Sequence, residues 1–336
     1  MAKSTAAKVK FTLPEAKLKL IFNHMVKSRV LEERLIRMYK QSDGYFWIGG
    51  PGEEAFAIPL GLQLKKGEGL DYDYLHLHYR AGGILTAMGA EPIGFIRQMK
   101  NVASDPFSGG RNFANHASIK KWNVLPITST IETQYATAIG TGIAQTRKNC
   151  TGITIVNGGD AGTAEGEFAS CLVWSSRPAL PLPILMIAAN NSFGISTPAA
   201  TQHGEKNIAD RAAPFGIKNR IINGNDVEES YYAVKEALDY VRTERKPYFL
   251  EVKVSRLYGH SSASGANFVA HEEDCLAKFE AQLIEAGVLS EKEAKETREN
   301  YTAEFLEMAK QVKVEPMPDP STIYDNTYWQ QKGKYF

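Results

Sequence analysis

Residues 153–198 read ITIVNGGDAGTAEGEFASCLVWSSRPALPLPILMIAANNSFGISTP. Two short apolar runs stand out, residues 153–156 and 182–189. The first ends at Asn157-Gly158-Gly159 and the second at Asn190-Asn191. Neither run alternates apolar with polar residues, so each reads as a strand buried on both faces. Between them a Gly/Ala-rich turn leads into a predicted helix over 164–176. Strand, helix and strand in that order give parallel neighbours, and parallel strands end at one common edge. Asp160 and Asn191, each just past a strand, are therefore expected at one crevice.

The flanking sequence extends the same pattern. Residues 217–222 and 248–254 are further strand candidates, and 226–243 reads as a helix between them with Asp226 as its N-cap. Upstream, Leu18, Ile21, Phe22, Met25, Leu31, Leu35 and Met38 recur at helical spacing over 14–41. Residues 53–64, 82–88, 92–99 and 131–145 also read as helices, and 101–124 as irregular chain. After Gly265 the sequence is charged and helical to about residue 312. The expected fold is α/β, a parallel sheet with helices on both faces and helical N- and C-terminal extensions. The expected organisation is a flexible arm over 1–13, one domain over 14–325 and a tail over 326–336.

Composition narrows the function. With 39 Lys+Arg against 38 Asp+Glu the formal net charge is +1, without the basic footprint of a nucleic-acid binder. Lys120-Lys121 reads as a solvated face. No apolar run is long enough to cross a membrane. Cys150, Cys171 and Cys275 lie far apart with no metal-type spacing, as in a reducing compartment. A cytoplasmic protein is the expectation, ahead of an organelle matrix.

The chemistry lies at the crevice. A carboxylate and an amide oxygen suit Mg²⁺, which completes its shell with phosphate oxygens and water. Gly-rich backbone at a helix start suits a diphosphate. The glycines at 158, 159, 162 and 166 do not spell GxGxxG, and an acid directly after the glycine pair is wrong for a dinucleotide turn. These considerations point to Mg²⁺ and a diphosphate without choosing which.

Gly159-Asp160 followed by Asn190-Asn191 resembles the thiamine diphosphate motif, usually written GDG…NN. EGE at 165–167, NNSFGISTP at 190–198, INGNDV at 222–227 and RLYGHSS at 256–262 resemble the α subunits of 2-oxo acid dehydrogenases. So do His78-Tyr79-Arg80, Gly110-Arg111-Asn112 with His116, and Thr128-Ser129 leading to Thr133-Gln134. The resemblance covers roughly residues 20–325 in one order and is nearest the branched-chain 2-oxo acid type.

The resemblance implies thiamine diphosphate and Mg²⁺ as cofactors. It implies Asp160, Asn191 and the carbonyl of Phe193 as metal ligands. Tyr79 and Arg80 would hold the diphosphate, and Ser129 and Ile131 would meet the rings. His78, Gly159, Ala161, Gly162, Gly194 and Ile195 complete the cofactor wall. His260 would stand at its mouth as the catalytic histidine. The implied reaction decarboxylates a small 2-oxo acid and passes the acyl group to a lipoyl-bearing acyltransferase component. In the family the glutamate that activates the cofactor belongs to a β subunit, so the chain should supply half of an active site in an α₂β₂ assembly. His116 is weighted as an ordinary loop histidine, and His76 and His78 are not expected to line one pocket together.

Some positions depart from the family pattern. Ala161 stands where glycine is usual, and Ala189 where the branched-chain type has an arginine. Ser264-Gly265 stand where acidic residues usually follow the histidine, so phosphorylation control at Ser261 is not carried over. Three alternatives stay open: a pyruvate- or acetoin-type α subunit, a non-catalytic scaffold on the same fold and, weakest, an oxidoreductase that binds NAD at the Gly158 turn.

Overall fold

The computed structural model describes residues 9–325. Its centre is a five-stranded sheet, all parallel. The strands are β1 (Tyr74–His76), β2 (Thr154–Gly159), β3 (Ile184–Asn190), β6 (Lys218–Asn223) and β7 (Tyr248–Lys253), in the order β1-β2-β3-β7-β6. A two-stranded antiparallel ribbon, β4 (Phe193–Gly194) with β5 (Thr197–Pro198), follows β3. Among the described residues no helix is long and apolar enough to cross a membrane.

The sheet is buried on both faces, as its uninterrupted apolar strands require. Side chains alternate along each strand. Ile155, Leu185, Ile187, Leu250 and Val252 join one core, and Val156, Ile184, Met186, Ala188 and Phe249 join the other. Helix α7 (Val227–Glu244) covers the first face, together with α1 (Glu15–Lys40), α2 (Glu54–Gln63) and α3 (Gly82–Ala87). The second face is covered by α5 (Thr133–Arg147) and α6 (Gly166–Ser175). Asp226 caps α7 by accepting from Glu229 N at 2.9 Å. Helix α4 (Pro92–Lys100) packs with α1 and with the C-terminal α9 (Glu291–Lys313).

Several boundaries differ from the sequence reading, each for a local reason. Helix α5 starts at Thr133 rather than 131, because Glu132 has left-handed backbone (φ 64°) and ends the preceding loop. The helix read over 164–176 is α6, which starts only at Gly166, because a 3₁₀ turn, Ala161–Ala164, and the extended Glu165 precede it. The charged region after Gly265 is a loop and then two helices, α8 (Cys275–Ala286) and α9, separated at Gly287, whose φ of 75° caps α8. The expected arm is described only from residue 9 on. Thr12 and Leu13 are not free, since both backbone N–H groups donate to Glu228 at 2.7 and 2.6 Å. The expected tail, 326–336, lies outside the described residues.

One buried charge cluster fixes the helical layer against the site. Arg29 on α1 donates twice to Glu54, at 2.6 and 2.9 Å, and twice to Asp274, the N-cap of α8, at 2.8 and 3.1 Å. Glu54 also accepts from Gly52 N at 2.8 Å, which sets the turn before α2. Arg29 and Glu54 are almost wholly inaccessible. Removing one partner leaves a buried charge without compensation, so Arg29→Ala should cost about 3–5 kcal/mol. Urea unfolding measures this, and a loss under about 1 kcal/mol would show that the cluster is not holding α1, α2 and α8 together.

Candidate active site

Residues in β2 and β3 pair with Gly159 opposite Ala189, so the two chains leave the sheet side by side. Asp160 and Asn191 consequently line one cavity of about 270 Å³ at the C-terminal edge of the sheet. His78, Tyr79, Arg80, Ser129 and Ile131 line it too, as do Gly159, Ala161, Gly162, Phe193, Gly194, Ile195 and His260. Every residue singled out for the cofactor wall from the sequence thus faces the same hollow.

The asparagine pair divides its work. Asn190 points back into the fold, donating to Glu251 at 2.8 Å and accepting from Ser192 N at 2.9 Å. Asn191 faces the cavity and accepts from Phe193 N at 3.2 Å. Ser192 and Ile195 both adopt positive φ, 65° and 59°. For a β-branched residue that is strained backbone. Arg256 holds the strained segment by donating to the Ile195 carbonyl at 2.9 Å.

Asp160 is buried, and one of its carboxylate oxygens has no hydrogen-bond partner. Burial raises its pKa, while the N–H groups of Ala161 and Asn191 favour the charged form. A buried, half-satisfied carboxylate beside an amide and a backbone carbonyl is a donor set that suits Mg²⁺. Among the described residues no three His, Cys, Asp or Glu side chains gather as a metal group. The expected ligand set is of another kind, with one carboxylate only.

Arg80 and His260 form one unit. Arg80 is buried and donates to the Gly49 carbonyl at 2.5 Å, to His260 Nδ1 at 3.0 Å and to the His260 carbonyl at 3.2 Å. Burial and the charges of Arg80 and Arg256 push the His260 pKa down to about 4. The ring is therefore neutral near pH 7. A guanidinium can only donate, so Nδ1 must accept, and the ring proton is left on Nε2. Tyr79 sits at the centre of the surrounding rings, with His78 at 3.7 Å, and His116 and His260 each at 6.1 Å between centroids. His78 is held neutral by burial and by the charge of Arg80.

His116 is more than a loop histidine, for its Nε2 lies 2.5 Å from Ser129 Oγ. His76 is separate from the site and bonds Thr137 and Thr141 on α5, both at 3.0 Å. In a continuing strand, residues two apart would share a face. The strand ends at His76, and the turn after it re-aims His78 towards the cavity. Ser261 is buried, and its hydroxyl caps the next turn by accepting from Ala263 N at 3.2 Å.

Phe46, Ile48 and Glu132 also line the cavity and were not read from the sequence. Phe46 and Ile48 come from a loop whose apolar residues carry no periodic signal. Glu132 is fully buried, and neither carboxylate oxygen has a partner. A Cβ on Gly158 would lie 2.5 Å from Glu132 Oε1, and a Cβ on Gly162 would overlap the same oxygen, so both glycines make room for the carboxyl. Burial, then Glu165, push its pKa up to about 8, against the opposing N–H of Gly159.

A family model described as "Dehydrogenase E1 component" matches residues 23–321. The chain belongs to that family. Among curated E1 proteins it is similar to the 2-oxoisovalerate dehydrogenase subunit alpha of Bacillus subtilis, 27% identical over 316 residues, covering 92% of this chain and 94% of that one. It is also similar to the mitochondrial 2-oxoisovalerate dehydrogenase subunits alpha of Mus musculus, 24% identical, and Homo sapiens, 25% identical. Each of those alignments covers 94% of this chain, with 72% of the mouse and 71% of the human protein.

Glu132 makes the stability of this E1 chain depend on pH. Its ordinary value is 4.5, and the folded protein holds the proton to about 8. Below about pH 4.5 both states are protonated and the group costs nothing. As pH rises, the unfolded chain releases the proton first, so stability falls until the folded pKa is passed. Glu132→Gln removes this loss and should stabilise the ligand-free chain by roughly 1–3 kcal/mol at pH 8, with little gain at pH 5. Urea midpoints across that range test it, and a difference that does not grow with pH would contradict the assignment.

Proposed function

We propose that this E1 chain is the α subunit of a thiamine-diphosphate-dependent 2-oxo acid dehydrogenase acting on a branched-chain 2-oxo acid, with the acyl group passed to a lipoyl group. The observation that carries the reading is the meeting of Asp160 and Asn191 at one cavity beside Arg80 and His260. The branched-chain substrate is supported by the names of the similar proteins, each a 2-oxoisovalerate dehydrogenase subunit alpha.

In this reading Asp160, Asn191 and the Phe193 carbonyl would hold Mg²⁺. Tyr79 and Arg80 would hold the diphosphate, Arg80 with the N–H donors it has left after Gly49 and His260. Ser129 and Ile131 would meet the rings. Bound thiamine diphosphate supplies the electron sink for decarboxylation. His260, neutral and with its proton on Nε2, can donate a hydrogen bond to an incoming carboxylate or carbonyl and deliver a proton at that atom. Ala189 leaves its place uncharged, so Arg80 is the cation lining the cavity among the described residues.

The chain supplies half of the site. Ile131 and Ile195, which line the cavity, and Phe113, which packs on the lining residue Phe46, are large apolar side chains left 41%, 59% and 43% exposed. They support a β subunit closing over the cavity in an α₂β₂ assembly, which would also exclude water. A lipoyl-bearing acyltransferase component is the further partner. The unpaired cysteines support a reducing compartment, the cytoplasm before an organelle matrix.

Reconstitution with a β subunit tests the reading. The assembly should bind thiamine diphosphate with Mg²⁺ in calorimetry and release carbon dioxide from branched-chain 2-oxo acids faster than from pyruvate or acetoin. Asp160→Ala should abolish the binding heat. His260→Ala should keep binding and lower kcat by roughly 10²–10⁴-fold. No binding heat in the wild-type assembly would favour a scaffold role, and full turnover by the α chain alone would refute the half-site.

A further inference from the structure

We infer that Glu32 is a positioning residue for the Arg80–His260 pair, acting through the chain segment from residue 46 to 49. The inference rests on the reading of the cavity given above, but its geometry lies outside the cavity wall. Glu32 is on α1, buried, and does not line the hollow. Its carboxylate accepts from Trp47 Nε1 at 2.7 Å and from Asn115 Nδ2 at 3.1 Å. Asn115 donates in addition to the Ile48 carbonyl at 2.6 Å. A Cβ on Gly49 would overlap the Glu32 carboxylate, so the segment runs directly across it.

The other side of the segment holds the reactive pair. Arg80 donates to the Gly49 carbonyl at 2.5 Å. The loop bearing His260 is fastened twice to Trp47, whose N–H donates to Ser262 Oγ at 3.1 Å and whose carbonyl accepts from Ser262 N at 2.7 Å. Phe46 and Ile48, on the same segment, form part of the cavity wall. Arg80 and the His260 loop therefore share one support, and that support rests on one buried carboxylate. Such a residue matters because small displacements of a catalytic group are costly: about 1 Å can lower turnover on the order of 10²-fold.

The substitution that separates positioning from simple stability is Glu32→Gln. It keeps the shape but replaces one acceptor oxygen with an N–H donor, which then faces either Trp47 or Asn115, both donors. The α chain carrying Glu32→Gln, His260→Ala or both is assembled with β subunit, Mg²⁺ and thiamine diphosphate. Glu32→Gln alone should lower kcat roughly 10- to 100-fold. In the His260→Ala background it should cost less than about threefold, because residues acting as one unit are not additive. The same loss in both backgrounds overturns the inference.

A second readout does not depend on turnover. In chain labelled with ¹⁵N-histidine, the His260 resonance, identified by its loss in His260→Ala, should show a single tautomer protonated at Nε2. Glu32→Gln should turn it into a mixture, and an unchanged ring signature overturns the inference. Trp47→Phe removes the donor but keeps a ring, and carries both measurements if Glu32→Gln does not fold. A wild-type assembly silent with every 2-oxo acid would remove the proposed function instead, leaving the ring signature to decide on Glu32.

Discussion

Gly159 on β2 lies opposite Ala189 on β3, and that one register decides what the site can be. Parallel pairing makes the two strands end together, so residues thirty positions apart in sequence become neighbours at the sheet edge. A slip of one residue would turn every side chain of a strand to the other face. Here it would exchange the two apolar sets that fill the separate cores above and below the sheet. The hydrophobic cores therefore hold Asp160 and Asn191 in place, although neither residue belongs to a core.

The second organising feature is desolvation. Glu32, Glu53, Glu132 and Asp160 are all buried in or near the cavity wall, and burial raises the pKa of each. Arg80 offsets part of this at Glu32 and Glu53. Burial lowers the pKa of His78 and His260, and the same guanidinium adds to it. One buried cation thus favours the ionised form of the acids and the neutral form of the histidines. Buried ionisable groups concentrated in this way are a property of functional sites, because they cost stability that an ordinary core would not give up.

The sequence made much of the sheet legible. The strands at 153–156, 182–189, 217–222 and 248–254 were readable because β-branched and apolar runs of that length, separated by helical stretches, have few other solutions. Helix ends were less legible, since they turn on single backbone conformations such as the left-handed φ of Glu132 and of Gly287. Strand β1 is three residues long, too short to carry a periodic signal. The residues of the cavity wall could be named because separate motifs fall in a fixed order along the chain. Phe46, Ile48, Glu132 and the buried Glu32 could not, because nothing local tells a glutamate that it will lose its water.

What the sequence determined by itself is the parallel α/β layout and the residue types at its C-terminal edge, because apolar continuity and strand–helix alternation are local properties of the chain. What only the tertiary structure decided is which charges face one another. Arg80 meets His260 across 180 residues and Glu32 meets Asn115 across 83. The strength of such contacts depends on burial and distance in the folded chain, and neither is written in the order of the residues.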